Sequence, residues 1–231
     1  MQIEGSIALV TGANRGLGRH LAEELVRRGA AKVYAAARNP AQITSTGVVP
    51  LQLDVNDPQS VTAAVAAAAD VSLLVNNAGN YNTATLLDGE MDDIRALMET
   101  HYFGTLSVTR AFAPVLIANA PGAILNVASV LSWVHPASAG AYCAAKAALW
   151  AQTDSVRDEL ASHGVTVTAL HVGYMDTDMV SNLETPKSDP ALIAAAALDG
   201  IATGADEVLA DDLTRQVRAS LGQSPSQLVA T

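Results

Sequence analysis

Short aliphatic runs alternate along this chain with longer stretches of helical periodicity, and that alternation constrains the fold more than any other feature of the sequence. The strand candidates are Ile7–Val10, Lys32–Ala36, Val48–Leu53, Leu73–Asn76, Ala123–Ala128 and Val165–His171, with a further one at Glu207–Leu209. Between them Leu17–Arg28, Gln59–Ala68, Met91–Asn119, Tyr142–Ser162 and Asp189–Thr203 read as helices. Runs such as IALV, SLLV and AILNV lack the polar alternation of a sheet with one wet face, so helices must cover both faces. Right-handed crossovers then give a doubly wound α/β fold on a parallel sheet of about seven strands.

No repeat, linker or compositional break divides the 231 residues, and a single domain over 1–231 is expected. Alanine-rich Ala63–Ala69 is read as packed helix, because alanine is the best helix former and Val61 and Val65 stand four apart. Ser181–Pro190, polar and with two prolines, reads as a mobile surface loop, and Gly222–Thr231 as a frayed end. Half the residues are apolar and only 16% are charged, which excludes a disordered chain.

The formal charge is −10 and no basic run makes a local exception, so no nucleic-acid partner is expected. Cys143, the single cysteine, has no partner for an internal disulfide, and no Cys/His ligand spacing predicts a metal. The apolar pattern begins at Ser6–Val10 directly behind Glu4, leaving no room for a secretory leader, and no run reaches the roughly 18 clean residues of a membrane span. The expectation is a soluble, cytoplasmic protein.

Directly after the first strand comes Thr11-Gly12-Ala13-Asn14-Arg15-Gly16-Leu17-Gly18, and then helical periodicity begins. Glycines at a strand-to-helix turn let backbone approach a pyrophosphate, and the helix N-terminus supplies amide donors. At the first βα turn of an alternating chain, this G-x-x-x-G-x-G spacing points to a Rossmann-type dinucleotide site. NAD-binding versions place a carboxylate about 20 residues further on, against the adenosine ribose. Here that place reads Ala36-Ala37-Arg38, and Leu25 to Leu53 contains no Asp or Glu. A guanidinium grips a 2′-phosphate that a carboxylate would repel, so Arg38, with Arg15 beside it, points to NADP(H). Arg27, Arg28 and Lys32 are read as solvating a helix end.

Tyr142 and Lys146 stand four apart in a helical stretch, so they share a face, and an ammonium near a phenol is expected to lower its pKa. Ser129 lies thirteen residues before Tyr142, just past a strand, at the edge where parallel sheets bind ligands. Ser132 is the alternative hydroxyl. With Thr11–Gly18, Asp54-Val55, Asn76-Asn77-Ala78-Gly79, Ser129, Tyr142–Lys146 and Gly173…Thr177-Asp178-Met179 in order, the sequence resembles the short-chain dehydrogenase/reductase family over essentially its whole length.

The resemblance implies hydride transfer between NADP(H) and a carbonyl or alcohol, with Tyr142 as general acid/base, Ser129 polarising the carbonyl, and Lys146 holding the nicotinamide ribose. It assigns the cofactor to Gly12, Asn14, Arg15, Gly16, Leu17, Gly18, Arg38, Asp54, Val55, Asn77, Ala78, Gly79, Tyr142, Lys146, Gly173 and Thr177, and substrate shaping to the segment 177–200. It also implies a homodimer or homotetramer through Met91–Asn119 and Tyr142–Ser162, while the mixed apolar and polar make-up of Val180–Leu198 and Leu131–Gly140 suggests a small, fairly hydrophobic carbonyl substrate.

Two positions depart from the family pattern. His101 stands where the family carries a relay asparagine, and it is read either as a pH-sensitive relay or as a packing residue. Val172 replaces the usual proline of a Pro-Gly turn. His135 and His171 are read as packing or loop residues, Cys143 as buried and inert, and Trp133, Tyr174 and Met179 as pocket or core. Physiological alcohol oxidation and a catalytically weakened NADP-binding regulator remain alternatives to carbonyl reduction.

Overall fold

The computed structural model describes residues 1–181 and 184–222. Its strands are β1 (Ile7–Thr11), β2 (Lys32–Ala37), β3 (Val49–Gln52), β4 (Leu73–Asn76), β5 (Gly122–Val127), β6 (Val165–His171) and β7 (Glu207–Leu209). They form one parallel sheet in the order β3-β2-β1-β4-β5-β6-β7, so the chain reverses its direction of travel across the sheet between β1 and β4. Residues at the carboxyl ends of these two central strands are thereby placed in the crevice where open α/β sheets take ligands.

Each central strand sends alternate side chains to opposite faces. From β5, Ala123 and Leu125 join a core with α1 (Gly16–Arg27) and α6 (Pro190–Thr203). Ile124 joins the opposite core, with α2 (Pro58–Ala67), α4 (Thr105–Ala118) and α5 (Gly140–Leu160). Polar side chains thread the second layer: Asn76 donates to Thr109 Oγ1 and Asn126 Oδ1, and Asn126 donates to Thr153 Oγ1, at 2.8–3.0 Å. Fully satisfied, this buried chain fixes α5 against the sheet.

Two segments differ from the sequence reading, and α6 falls where Asp189–Thr203 is read as helix. Met91–Asn119 is not one helix: α3 (Met91–Met98) passes into a π-helical turn, Glu99–Gly104, before α4 begins. At Gly104 an added Cβ would lie 2.9 Å from Asn56 Oδ1 and from Val55 Cγ2, so the helix bulges where the loop after β3 crosses it. A seventh helix, α7 (Asp212–Ser220), follows β7, started by the reciprocal hydrogen bonds of Asp211 and Thr214. Within 177–200, the part from Pro190 onward is α6, whose Ile193, Ala197 and Leu198 are core.

Arg28 and Lys32 do more than solvate a helix end. Arg28 pairs with Glu24 at 2.7 Å and with Asp199 at 2.6 Å, tying α1 to α6, and Lys32 pairs with Asp70. Of the expected loop and frayed end, residues 182–183 and 223–231 lie outside the described residues. No helix among the described residues is long and apolar enough to cross a membrane.

Candidate active site

The carboxyl edge of the sheet opens into one cleft of about 1230 Å³ that runs from the glycine turn past Ser129 to α7. Its first end is built by close backbone packing. Gly12 has φ +66, and a Cβ there would lie 3.0 Å from Ala78 Cα; a Cβ on Gly18 would overlap the Gly12 carbonyl and Asn77 Nδ2. Asn77 donates its amide to the Thr11 and Gly12 carbonyls, and the Asn77 and Ala78 backbone N–H groups donate to Thr11 Oγ1 at 2.9 Å. The segment after β4 thus braces the turn after β1. Helix α1 starts there with no side chain capping its amides, leaving them directed at the cleft.

Along the same wall lie Asn14, Arg15, Gly16, Leu17, Arg38, Asp54, Val55, Gly79 and Thr177. Asn14 donates to Gln42, which stiffens the turn, and Thr177 approaches the Gly16 position closely enough that a Cβ there would be 3.6 Å away. Arg38 and Arg15 are exposed at the cleft and form no ion pair among the described residues. Gly173 also faces the cleft, but its N–H donates to Asp211 Oδ2 at 2.6 Å, so that amide serves to dock the start of α7.

Ser129, Tyr142, Lys146 and His101 converge in the middle of the cleft. Ser129 lies two residues past β5 in an extended conformation, its Oγ accepting from Leu131 N at 3.1 Å and its side chain at the cleft; Ser132 is buried, its hydroxyl without a partner, and does not line the cleft. Tyr142 lies edge-on to Tyr81 at 5.1 Å and to His101 at 5.3 Å between ring centroids. Burial pushes its phenol well above the ordinary tyrosine value, with Ser129 opposing the shift.

This reverses the expectation that Lys146 lowers the phenol pKa. Lys146 Nζ donates to the Val127 carbonyl at 2.8 Å, and burial lowers its own pKa to about 7, leaving less positive charge to stabilise a phenolate. His101 is buried, and its Nε2–H donates to the Asn80 carbonyl at 2.7 Å. Burial, reinforced by Lys146, holds its pKa well below 6.5, so the ring is neutral at physiological pH and does not titrate there. Cys143 is buried, and that burial pushes its thiol up to about 11.

The far end of the cleft is walled by Leu131, Val134, Tyr174, Met179, Leu213 and Val217. The last two come from α7. Trp133 is not part of this wall: it stacks on His171 at 3.9 Å between centroids, behind Ser129. No group of three or more potential metal ligands occurs among the described residues.

The family model for short chain dehydrogenases matches residues 6–188. A 3-oxoacyl-(acyl-carrier-protein) reductase from Salmonella typhimurium is 34% identical over 217 residues, covering 90% of this chain and 88% of that protein. Among solved structures, a short chain dehydrogenase from Burkholderia cenocepacia in complex with NADP superposes with a TM-score of 0.94 at 40% identity, covering 99% of this chain and 97% of the other. A 3-ketoacyl-(acyl-carrier-protein) reductase from Brucella melitensis complexed with NADH gives a TM-score of 0.80 at 26% identity, covering 86% and 91%.

Proposed function

This chain belongs to the short-chain dehydrogenase/reductase family, and from that premise we propose that it reduces a ketone or aldehyde carbonyl with NADPH. The observation that carries the reading is that Ser129, Tyr142 and Lys146 line the middle of the cleft that starts at the glycine turn. Burial favours the neutral phenol, the state from which a proton is given to a forming alkoxide. When bound, the dinucleotide supplies hydride from C4 of its nicotinamide. Ser129 donates a hydrogen bond to the carbonyl oxygen and polarises it, and Tyr142 delivers its proton to the same oxygen as negative charge develops there. His101, neutral and braced on Asn80, packs edge-on against the Tyr142 ring and keeps it in place.

The choice of NADPH rests on Arg38 and Arg15 at the cleft and on the acid-free stretch from Leu25 to Leu53. The NADP bound by the Burkholderia relative supports it, while the NADH bound by the Brucella relative makes the assay comparative. The apolar far wall fits a small hydrophobic carbonyl compound, and the reductase relative adds 3-oxoacyl thioesters to the panel to be tried. Steady-state assays with NADPH and NADH over such a panel test both parts. Turnover with NADPH preferred, and lost by about 10²–10⁴-fold in Tyr142→Phe, is expected. No turnover on any carbonyl overturns the enzyme reading, and an NADH preference overturns the role of Arg38.

Self-association through α4 and α5 belongs to the same reading, since Tyr102, Leu106, Ala148 and Val156 leave a shallow groove on their outer side. A monomer by multi-angle light scattering rejects it.

A further inference from the structure

Behind Ser129, on the side away from the cleft, His171 sits at the end of β6 with its side chain fully buried. Backbone bonds hold both neighbours of the serine to the same stretch: Ala128 N–H donates to the Leu170 carbonyl at 2.8 Å and Val130 N–H to the Val172 carbonyl at 2.9 Å. The carbonyl of Ser129 itself is taken by a side chain, His171 Nδ1, at 3.1 Å. A carbonyl only accepts, so the neutral ring must carry its proton on Nδ1. Resting on the proposed reductase reading, we propose that His171 is a positioning residue for the reaction, holding the Ser129 peptide so that its hydroxyl meets the substrate carbonyl.

The surroundings of the ring fix this orientation from three elements. Trp133 stacks on one face. Trp150 of α5 presents its edge at 6.1 Å and donates Nε1–H to Glu207 Oε1 at 3.0 Å. Glu207 of β7 stands 3.7 Å from His171 Nε2, and its other oxygen accepts from Arg218 Nε of α7 at 2.9 Å. Glu207, Arg218 and, at longer range, Asp154 are the charged groups that act on the imidazole. Glu207 raises its proton affinity and Arg218 lowers it, while burial dominates and holds the pKa near 4. The ring therefore stays neutral and singly donating through the physiological range. A residue that merely filled space would need neither the Nδ1 proton nor its alignment with one carbonyl.

Nitrogen-15 NMR of the histidine side chains and kinetics of three variants test the proposal. His171 is expected as the Nδ1–H tautomer, unchanged from pH 8 to pH 5. His171→Leu, which removes the donor, is expected to lower kcat by about tenfold or more while leaving the KM for NADPH within twofold. His171→Asn puts an N–H at nearly the same place and is expected to recover most of that loss. Glu207→Gln with Arg218→Met, away from the serine, is expected to lower kcat less and, because Glu207 acts on the ring more strongly than Arg218, to lower the pH at which the ring titrates out of its single tautomer. An Nε2–H tautomer overturns the proposal whatever the activity, and remains decisive if His171→Leu fails to fold. Equal kcat in wild type and folded His171→Leu also overturns it. A wild type that reduces no carbonyl overturns the reductase reading instead, and leaves the tautomer to report on the serine contact alone.

Discussion

Burial moves the two ionisable groups of the catalytic helix in opposite directions, Tyr142 upward and Lys146 down to about 7. The phenol is thereby kept as an acid, and the lysine becomes sensitive to pH in a range where lysines ordinarily carry full charge. An anionic dinucleotide favours the protonated ammonium, so binding takes up a proton above pH 7 and weakens as pH rises. NADPH affinity measured by fluorescence titration is expected to fall several-fold between pH 7 and pH 9, and the slope to flatten in Lys146→Met; an affinity flat with pH in the wild type would refute the link. The i to i+4 spacing puts Tyr142 and Lys146 on one helix face, and a place just past a strand puts Ser129 at the sheet edge, and the structure brings all three to the cleft. Spacing could not find His171, whose bond to Ser129 exists only once β5 and β6 pair, nor the lysine's shift, which comes from burial rather than from neighbours in sequence.

Asp211 shows how much of the site is set by an element that the aliphatic pattern did not reveal. Its Oδ1 accepts from Thr214 N at 2.8 Å to start α7, and its Oδ2 accepts from Gly173 N at 2.6 Å in the turn after β6. One carboxylate thus caps a helix and fastens the loop beside the cleft. Asp211→Ala removes both partners, at a cost of about 1–3 kcal/mol, which a urea unfolding midpoint would register. Asp211→Asn, which retains an acceptor, should lose less. Helix α7 escaped the sequence reading because its sequence, DLTRQVRAS, is polar, with Thr214 its buried residue. The central strands β1, β4 and β5 were legible for the opposite reason: with both faces covered, each is a nearly unbroken aliphatic run. The π-helical turn at Glu99–Gly104 was not legible, since it answers to a crossing loop that local periodicity does not record.

For the molecule as a whole, His101 and His171 are two buried, neutral histidines whose folded pKa values lie below the ordinary value near 6.5. The unfolded chain takes up protons below pH 6.5 while the native one resists, so their contribution is fully present above that pH and is lost as pH falls toward the folded values, about 4 for His171. At pH 5 the loss from His171 is of order 2 kcal/mol. Urea midpoints at pH 7 and pH 5 should differ accordingly, and His171→Asn should reduce the difference; equal midpoints in the wild type would contradict it. The acidic balance of the chain leads to the expectation of no nucleic-acid partner, yet Leu25 to Leu53 holds no Asp or Glu and carries Arg38 to the cleft, so the charge map was informative because it was uneven. The segment between β6 and α6 is pinched at its base, where Ser188 N–H donates to the Tyr174 carbonyl and Asp176 N–H to the Ser188 carbonyl at 2.8 and 3.0 Å. Within the loop so closed, Thr177 and Met179 line the cleft. A loop tied at its base in this way hands its two ends to β6 and α6 already in place, so the cleft wall it supplies and the sheet it springs from answer to different stretches of the chain.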